Sequence, residues 1–232
     1  MLYLRSIPWL FVSFFLTCFL LAAPQQEPQK QSSPTPVEDA PASIGLLLDH
    51  SGSMKGKLGF VIAALQELVK ASNPQDEFFV VNFNDDAYMD EDFTNDPKSI
   101  FEALGKMDAR SGTAINDTVL ASADHLQKGA KYKKRVIILV TDGKDNSSHT
   151  SFKKMVKILH EPGIPVVYAI GLLQSEGDRK ELDMLTQATG GKAFYAGNEK
   201  QLNEMALQVA QEIRTLKPTL LQDNHSDSAV KH

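Results

Sequence analysis

The chain has 232 residues, 42% hydrophobic and 23% charged, enough for one well-buried α/β domain with little left for a second. Its formal charge of −5, which becomes −6 if the segment carrying Arg5 is removed, disfavours general binding to nucleic acid or to anionic lipid. The single cysteine, Cys18, lies in that same segment, so a mature chain without it has no disulfide, thiolate metal site or cysteine nucleophile.

Arg5 precedes an apolar run over 7–21 and then Ala22 and Ala23, which predicts a secretory signal over 1–23. A retained N-terminal membrane anchor is the competing reading, because Pro24 makes the cleavage point awkward. Cys18 sits inside the apolar run behind a poor lead-in for lipid attachment, so lipidation is rejected. Residues 24–42 are rich in Pro, Gln, Ser and Glu and are expected to form an extended, disordered tether.

From residue 44 strands and helices alternate. Strands are predicted over 44–48, 77–83, 87–93, 135–141, 165–171 and 192–195, and helices over 57–71, 98–107, 114–127, 151–159, 179–188 and 199–216. Asn84, Asp85 and Asp86 join the second and third strands as a hairpin turn, and the acidic run from there to Asp92 reads as a solvated hairpin. The cluster Lys128, Lys131, Lys133, Lys134 and Arg135 reads as a solvated turn ahead of a buried strand. Residues 43–217 form the domain and 218–232 a flexible polar tail. The expected fold is a doubly wound, mostly parallel central sheet with helices on both faces and one antiparallel edge strand. The near-continuous apolar strands 44–48 and 136–140 belong at its centre, where both faces are buried.

Three segments carry chemistry. Asp49, Ser51 and Ser53 follow the first strand at alternating positions, so a carboxylate and two hydroxyls point the same way, with Gly52 allowing a tight fold between the serines. Thr113 stands just ahead of a helix N-terminus, and Asp142 ends the β-branched run 135–140. In an open α/β sheet all three would meet beyond the carboxyl ends of the strands. Oxygen donors with few carboxylates suit a hard ion that keeps part of its water shell, so Mg²⁺ is the first choice, with Mn²⁺ or Ca²⁺ as other candidates.

Asp49-X-Ser51-X-Ser53, then Thr113, then Asp142 resembles the metal-ion-dependent adhesion site (MIDAS) of the von Willebrand factor A (VWA) domain family. The wording around Gly112 to Asp117, Val140 to Asn146 and Thr189 to Gly191 further resembles bacterial secreted or surface members of the type common in Acidobacteria. The resemblance implies direct coordination by Ser51 and Ser53, Thr113 binding directly or through water, and Asp49 and Asp142 mainly orienting waters and hydroxyls. It also implies a partner protein whose acidic side chain completes the metal shell. Asp117 and Asp145 are candidates for tuning the site from one shell out, and Asp117 alternatively for stabilising its helix end. His50 is expected as a rim side chain, since a hard ion prefers oxygen.

The function expected is therefore a metal-dependent protein-binding module outside the cytoplasm, secreted or in the periplasm or cell envelope, touching a membrane only through residues 1–23. A scaffold subunit of a cell-envelope complex with a structural metal is the alternative. A phosphohydrolase with Asp49 as base is a further one, though no Gly-rich phosphate loop or second metal cluster accompanies it.

Overall fold

A computed structural model describes residues 40–106, 109–110, 112–172 and 176–216. The expected leader over 1–23, nearly all of the tether, and the tail over 218–232 lie outside the described residues.

Every predicted strand and helix is present. The strands are β1 (Ala42–Asp49), β2 (Glu77–Phe83), β3 (Ala87–Thr94), β4 (Lys134–Thr141), β5 (Val166–Gly171) and β6 (Ala193–Tyr195). The helices are α1 (Leu58–Ala71), α2 (Pro97–Leu104), α3 (Ile115–Gly129), α4 (Phe152–Ile158), α5 (Glu176–Ala188) and α6 (Glu199–Thr215). The sheet order is β3-β2-β1-β4-β5-β6, with β3 antiparallel at one edge and all other pairings parallel. This is the doubly wound α/β architecture read from the sequence.

β1 lies between β2 and β4, and every residue of it is buried, as its unbroken apolar run requires. Strand alternation sends Ile44, Leu46 and Leu48 to one face, where they pack with Val61 and Leu65 of α1, Ile100 and Leu104 of α2, and Val209 and Ile213 of α6. Leu47 goes to the other face with Val119 and Leu126 of α3, Met155 of α4, and Leu182 and Leu185 of α5. Each such side chain contributes about 1.5–3 kcal/mol of burial free energy, which fixes the sheet that carries the site. Gly45 shares the second face and pairs with Phe79; a Cβ there would stand 2.3 Å from the Phe79 ring, so only glycine admits that ring.

Some boundaries and surfaces depart from expectation. The tether was expected to run to 42, but Ala42 already belongs to β1 and donates its N–H to Asp76 Oδ1 at 2.7 Å. α2 begins at Pro97 because Asp96 caps it, accepting from the Lys98 N–H, and ends before Gly105, short of the expected 107. Lys134 is not part of a solvated turn: it is 2% exposed, and its ammonium donates to the Ile213 and Arg214 carbonyls at the end of α6. The orphan carbonyls and negative end of that helix favour a cation there.

Candidate metal centre

β1 and β4 are adjacent and parallel, and the chain winds outward from them in both directions, so their carboxyl ends define the crevice at the topological switch point. Asp49 closes β1, and Asp142 follows Thr141 at the end of β4. Asp49 is fully buried; its Oδ1 accepts from the Ser51 N–H at 2.7 Å and its Oδ2 from the Thr141 hydroxyl at 2.6 Å. Burial pushes the Asp49 carboxyl above the ordinary range, and these hydrogen bonds work in the opposite direction.

The two serines converge by a route different from the expected extended one. Ser51 is still extended, but Gly52–Met54 form a 3₁₀ turn, and this turn brings Ser53 back beside Ser51. Their hydroxyl oxygens are 3.2 Å apart, and the Ser53 hydroxyl donates to Asp142 Oδ1 at 2.7 Å. Gly52 has no positive φ, and a Cβ there would meet the Arg110 carbonyl only at an ordinary 3.6 Å, so the turn does not depend on glycine's conformational freedom. The Asp142 side chain is 1% exposed, and its Oδ2 accepts from the Lys57 ammonium.

Thr113 is 3% exposed and held through its backbone. Its N–H donates to Asn146 Oδ1 at 2.9 Å and Ser147 Oγ at 3.2 Å, and its carbonyl accepts from the Asn146 and Ser147 N–H groups. Its hydroxyl oxygen lies 3.9 Å from where a Cβ on Gly143 would stand, beside Asp142. Gly112 precedes it at φ +101°, where a Cβ would strike Asp85 at 2.7 Å, so here glycine is required. The structure thus brings Asp49, Ser51, Ser53, Thr113 and Asp142 to one end of the sheet.

Asp117 and Asp145 do different work. Asp117 accepts from the His149 and Thr150 N–H groups at 2.6 and 3.1 Å. Asp145 accepts from the Asn116 N–H at 2.8 Å, so this carboxylate faces the N-terminal amides of α3, while Asp117 stands in the first turn of the same helix. Together they fasten the loop after β4 to α3, the loop that also holds Thr113. His50 is a correction: it is fully buried, not on the rim.

Two residues were missed. Thr141 orients Asp49, and the available signal was its place as the last residue of β4, at the carboxyl end of a central strand. Lys57 reaches Asp142 from the N-cap of α1, a contact across 85 positions that no local pattern marks.

The family model described as the von Willebrand factor type A domain matches residues 43–208. The chain belongs to the VWA family. An uncharacterized protein of Synechocystis sp., sll0103, is 30% identical over 108 residues, 45% of this chain and 26% of its own length, so this VWA chain spans about a quarter of that relative. A von Willebrand factor type A protein from Catenulispora acidiphila superposes with a TM-score of 0.63 at 20% identity, covering 76% of this chain and 43% of that one. An aerotolerance-related membrane protein from Bacteroides fragilis gives 0.61 at 16%, covering 75% and 100%. Proximal thread matrix protein 1 from the mussel byssus, with a zinc-occupied MIDAS motif, gives 0.63 at 21%, covering 80% and 49%. VWA domains are generally interaction modules, and the mussel protein among the neighbours holds zinc at its MIDAS motif.

The residues present fit a hard divalent ion. Two hydroxyls and a carboxylate oxygen lie within one hydrogen-bonded chain, from Ser51 Oγ through Ser53 Oγ to Asp142 Oδ1, and all are oxygen donors. Asp49 lies behind them and fixes Ser51 through its N–H. Among the described residues no cluster of three or more His, Cys, Asp or Glu side chains offers a second metal site.

Proposed function

We propose that this VWA chain is a metal-dependent protein-binding module acting outside the cytoplasm, with Mg²⁺ held by Ser51, Ser53, Thr113 and Asp142 and positioned from behind by Asp49. The observation that carries the reading is the run of oxygen atoms from Ser51 through Ser53 to Asp142 at the sheet's switch point. Such a donor set is largely neutral, so a bound divalent ion would keep net positive character and attract a carboxylate. The partner proposed is accordingly a protein that presents an Asp or Glu side chain.

A binding role is favoured over hydrolysis by the state of Asp49. The residue that would serve as base is fully buried, and both of its oxygens already accept hydrogen bonds from Ser51 and Thr141. Export is supported by Arg5 and the apolar run over 7–21, with residues 24–41 as spacer, and the membrane and matrix proteins among the structural neighbours are compatible with it. Among the described residues no helix is long and apolar enough to cross a membrane.

Calorimetry with Mg²⁺, Mn²⁺ and Zn²⁺, the last because the mussel protein holds zinc, tests the site. One site is expected, weakened sharply in Asp49→Ala and Ser51→Ala; unchanged affinity in both variants would sink the assignment. A partner captured from envelope extract should be lost in EDTA and recovered on adding Mg²⁺. Retention in EDTA favours the scaffold reading instead.

A further inference from the structure

Both oxygens of Asp142 are engaged from within the chain: Ser53 donates to Oδ1 at 2.7 Å, and the Lys57 ammonium donates to Oδ2. The carboxylate is 1% exposed whereas the lysine side chain is 41% exposed. A buried carboxylate is expensive without a counter-charge, and Lys57 supplies it. The sequence marks no residue for this, since Lys57 lies outside the five motif positions and enters only because the 3₁₀ turn over Gly52–Met54 folds the start of α1 across the end of β4.

The position creates a conflict. An ion bound to the Ser53 hydroxyl lies within a few Å of Asp142 and therefore of the ammonium that touches the same carboxylate. A divalent ion and an ammonium at such separation repel even under water-like screening, enough to alter affinity by about tenfold or more. Lys57 has room to withdraw. It stands at the N-cap of α1 on a flexible stem and borders a groove of about 510 Å³ that is also lined by Phe60, Leu172, Leu202, Arg179 and Glu199, so that the groove holds a guanidinium as well as a carboxylate.

We infer that Lys57 is a tethered counter-ion that competes with the divalent ion for Asp142, so that the chain holds its metal more weakly, and exchanges it more readily, than the oxygen donors alone would. The inference rests on the proposed metal site. Lys57 acts through Asp142 and is a positioning residue: it holds the buried carboxylate in place, and its withdrawal into the groove accompanies metal uptake.

The test compares wild type with Lys57→Met, Lys57→Arg and Lys55→Met by calorimetry with Mg²⁺ and Mn²⁺, and by thermal melting in EDTA and in saturating Mg²⁺. Lys55 is exposed two residues away and controls for the general field of a nearby positive charge. Lys57→Met should bind Mg²⁺ about tenfold more tightly, while Lys57→Arg and Lys55→Met stay close to wild type. In EDTA Lys57→Met should melt below wild type, and Mg²⁺ should raise its melting temperature by more than it raises that of wild type. Lys57→Gln, which can still donate to Asp142, carries the same expected sign if Lys57→Met fails to fold. Affinity equal to or weaker than wild type, or a gain matched by Lys55→Met, overturns the inference. Absence of Mg²⁺ and Mn²⁺ binding in every protein, wild type included, overturns the metal reading and this inference with it, an outcome distinct from equal affinities.

Discussion

The residues behind the metal site matter as much as those that would touch it. Thr141 is the hydroxyl donor to Asp49 Oδ2, in a position with no access to bulk solvent. Thr141→Val should remove that donor, cost about 1–3 kcal/mol in urea denaturation and weaken Mg²⁺ binding, because Asp49 also positions Ser51 through its N–H. Thr141→Ser should largely restore both. Asp117 provides a pH-dependent counterpart. Burial pushes its carboxyl up, but hydrogen bonds from Thr150 and His149 outweigh this and hold it below the ordinary value of 3.8. A depressed folded value means the stabilisation is present above the unfolded pKa and is lost as pH falls through the folded one. Asp117→Asn should therefore be less stable than wild type at neutral pH, with the difference shrinking only below about pH 4. Denaturation curves at pH 7 and pH 3 check this, and a difference unchanged by acid counts against the loop contact.

At the scale of elements, β1 governs because it ends in Asp49, leads directly into the turn that carries Ser51 and Ser53, and packs against both layers. Its weak point is Gly45. The Phe79 ring that fills the space is fully buried and is itself held by edge contacts to Phe93 and His125, with centroids 5.2 and 5.0 Å away, so it cannot simply swing aside. Gly45→Ala should cost about 1–3 kcal/mol through overpacking. Combining it with Phe79→Leu should recover part of that loss, a non-additivity measurable in a double-mutant cycle. Additive losses would mean that the ring is not what glycine accommodates. The loop after β4 is the second governing element, since Asn146 and Ser147 hold Thr113 while Asp145 holds the start of α3. Three loops from distant parts of the sequence are thereby fastened to one another, with the Asn84 carbonyl of the β2–β3 turn accepting from the Ala114 N–H at 2.6 Å.

For the molecule as a whole, a ligand that binds only the folded chain raises its stability by mass action. Mg²⁺ at about a hundred times its dissociation constant should add about 2.7 kcal/mol, visible as a concentration-dependent rise in melting temperature. The rise should disappear in Ser51→Ala. A rise retained in that variant would locate the ion elsewhere. With a partner carboxylate in the metal shell, metal and partner should also bind cooperatively, each raising the other's affinity by the same factor. The acidic balance of the chain predicts that this attraction is local to the ion rather than a property of the surface.

By itself the sequence determined the order and type of every strand and helix, because apolar periodicity is a local property and the central strands must be apolar on both faces. It also determined the membership of the VWA family, since the five motif residues stand in order and at strand and helix ends. Tertiary structure alone decided how the motif is built. The 3₁₀ turn that pairs Ser51 with Ser53, the burial of His50, and the contacts of Thr141 with Asp49 and of Lys57 with Asp142 join residues up to 92 positions apart. The same holds for Lys134, which a charge pattern assigns to solvent and which the end of α6, 79 residues away, draws into the interior. Hydrogen bonds and ion pairs depend on positions in space within a few Å, whereas composition and periodicity report only which face of its own element a residue occupies.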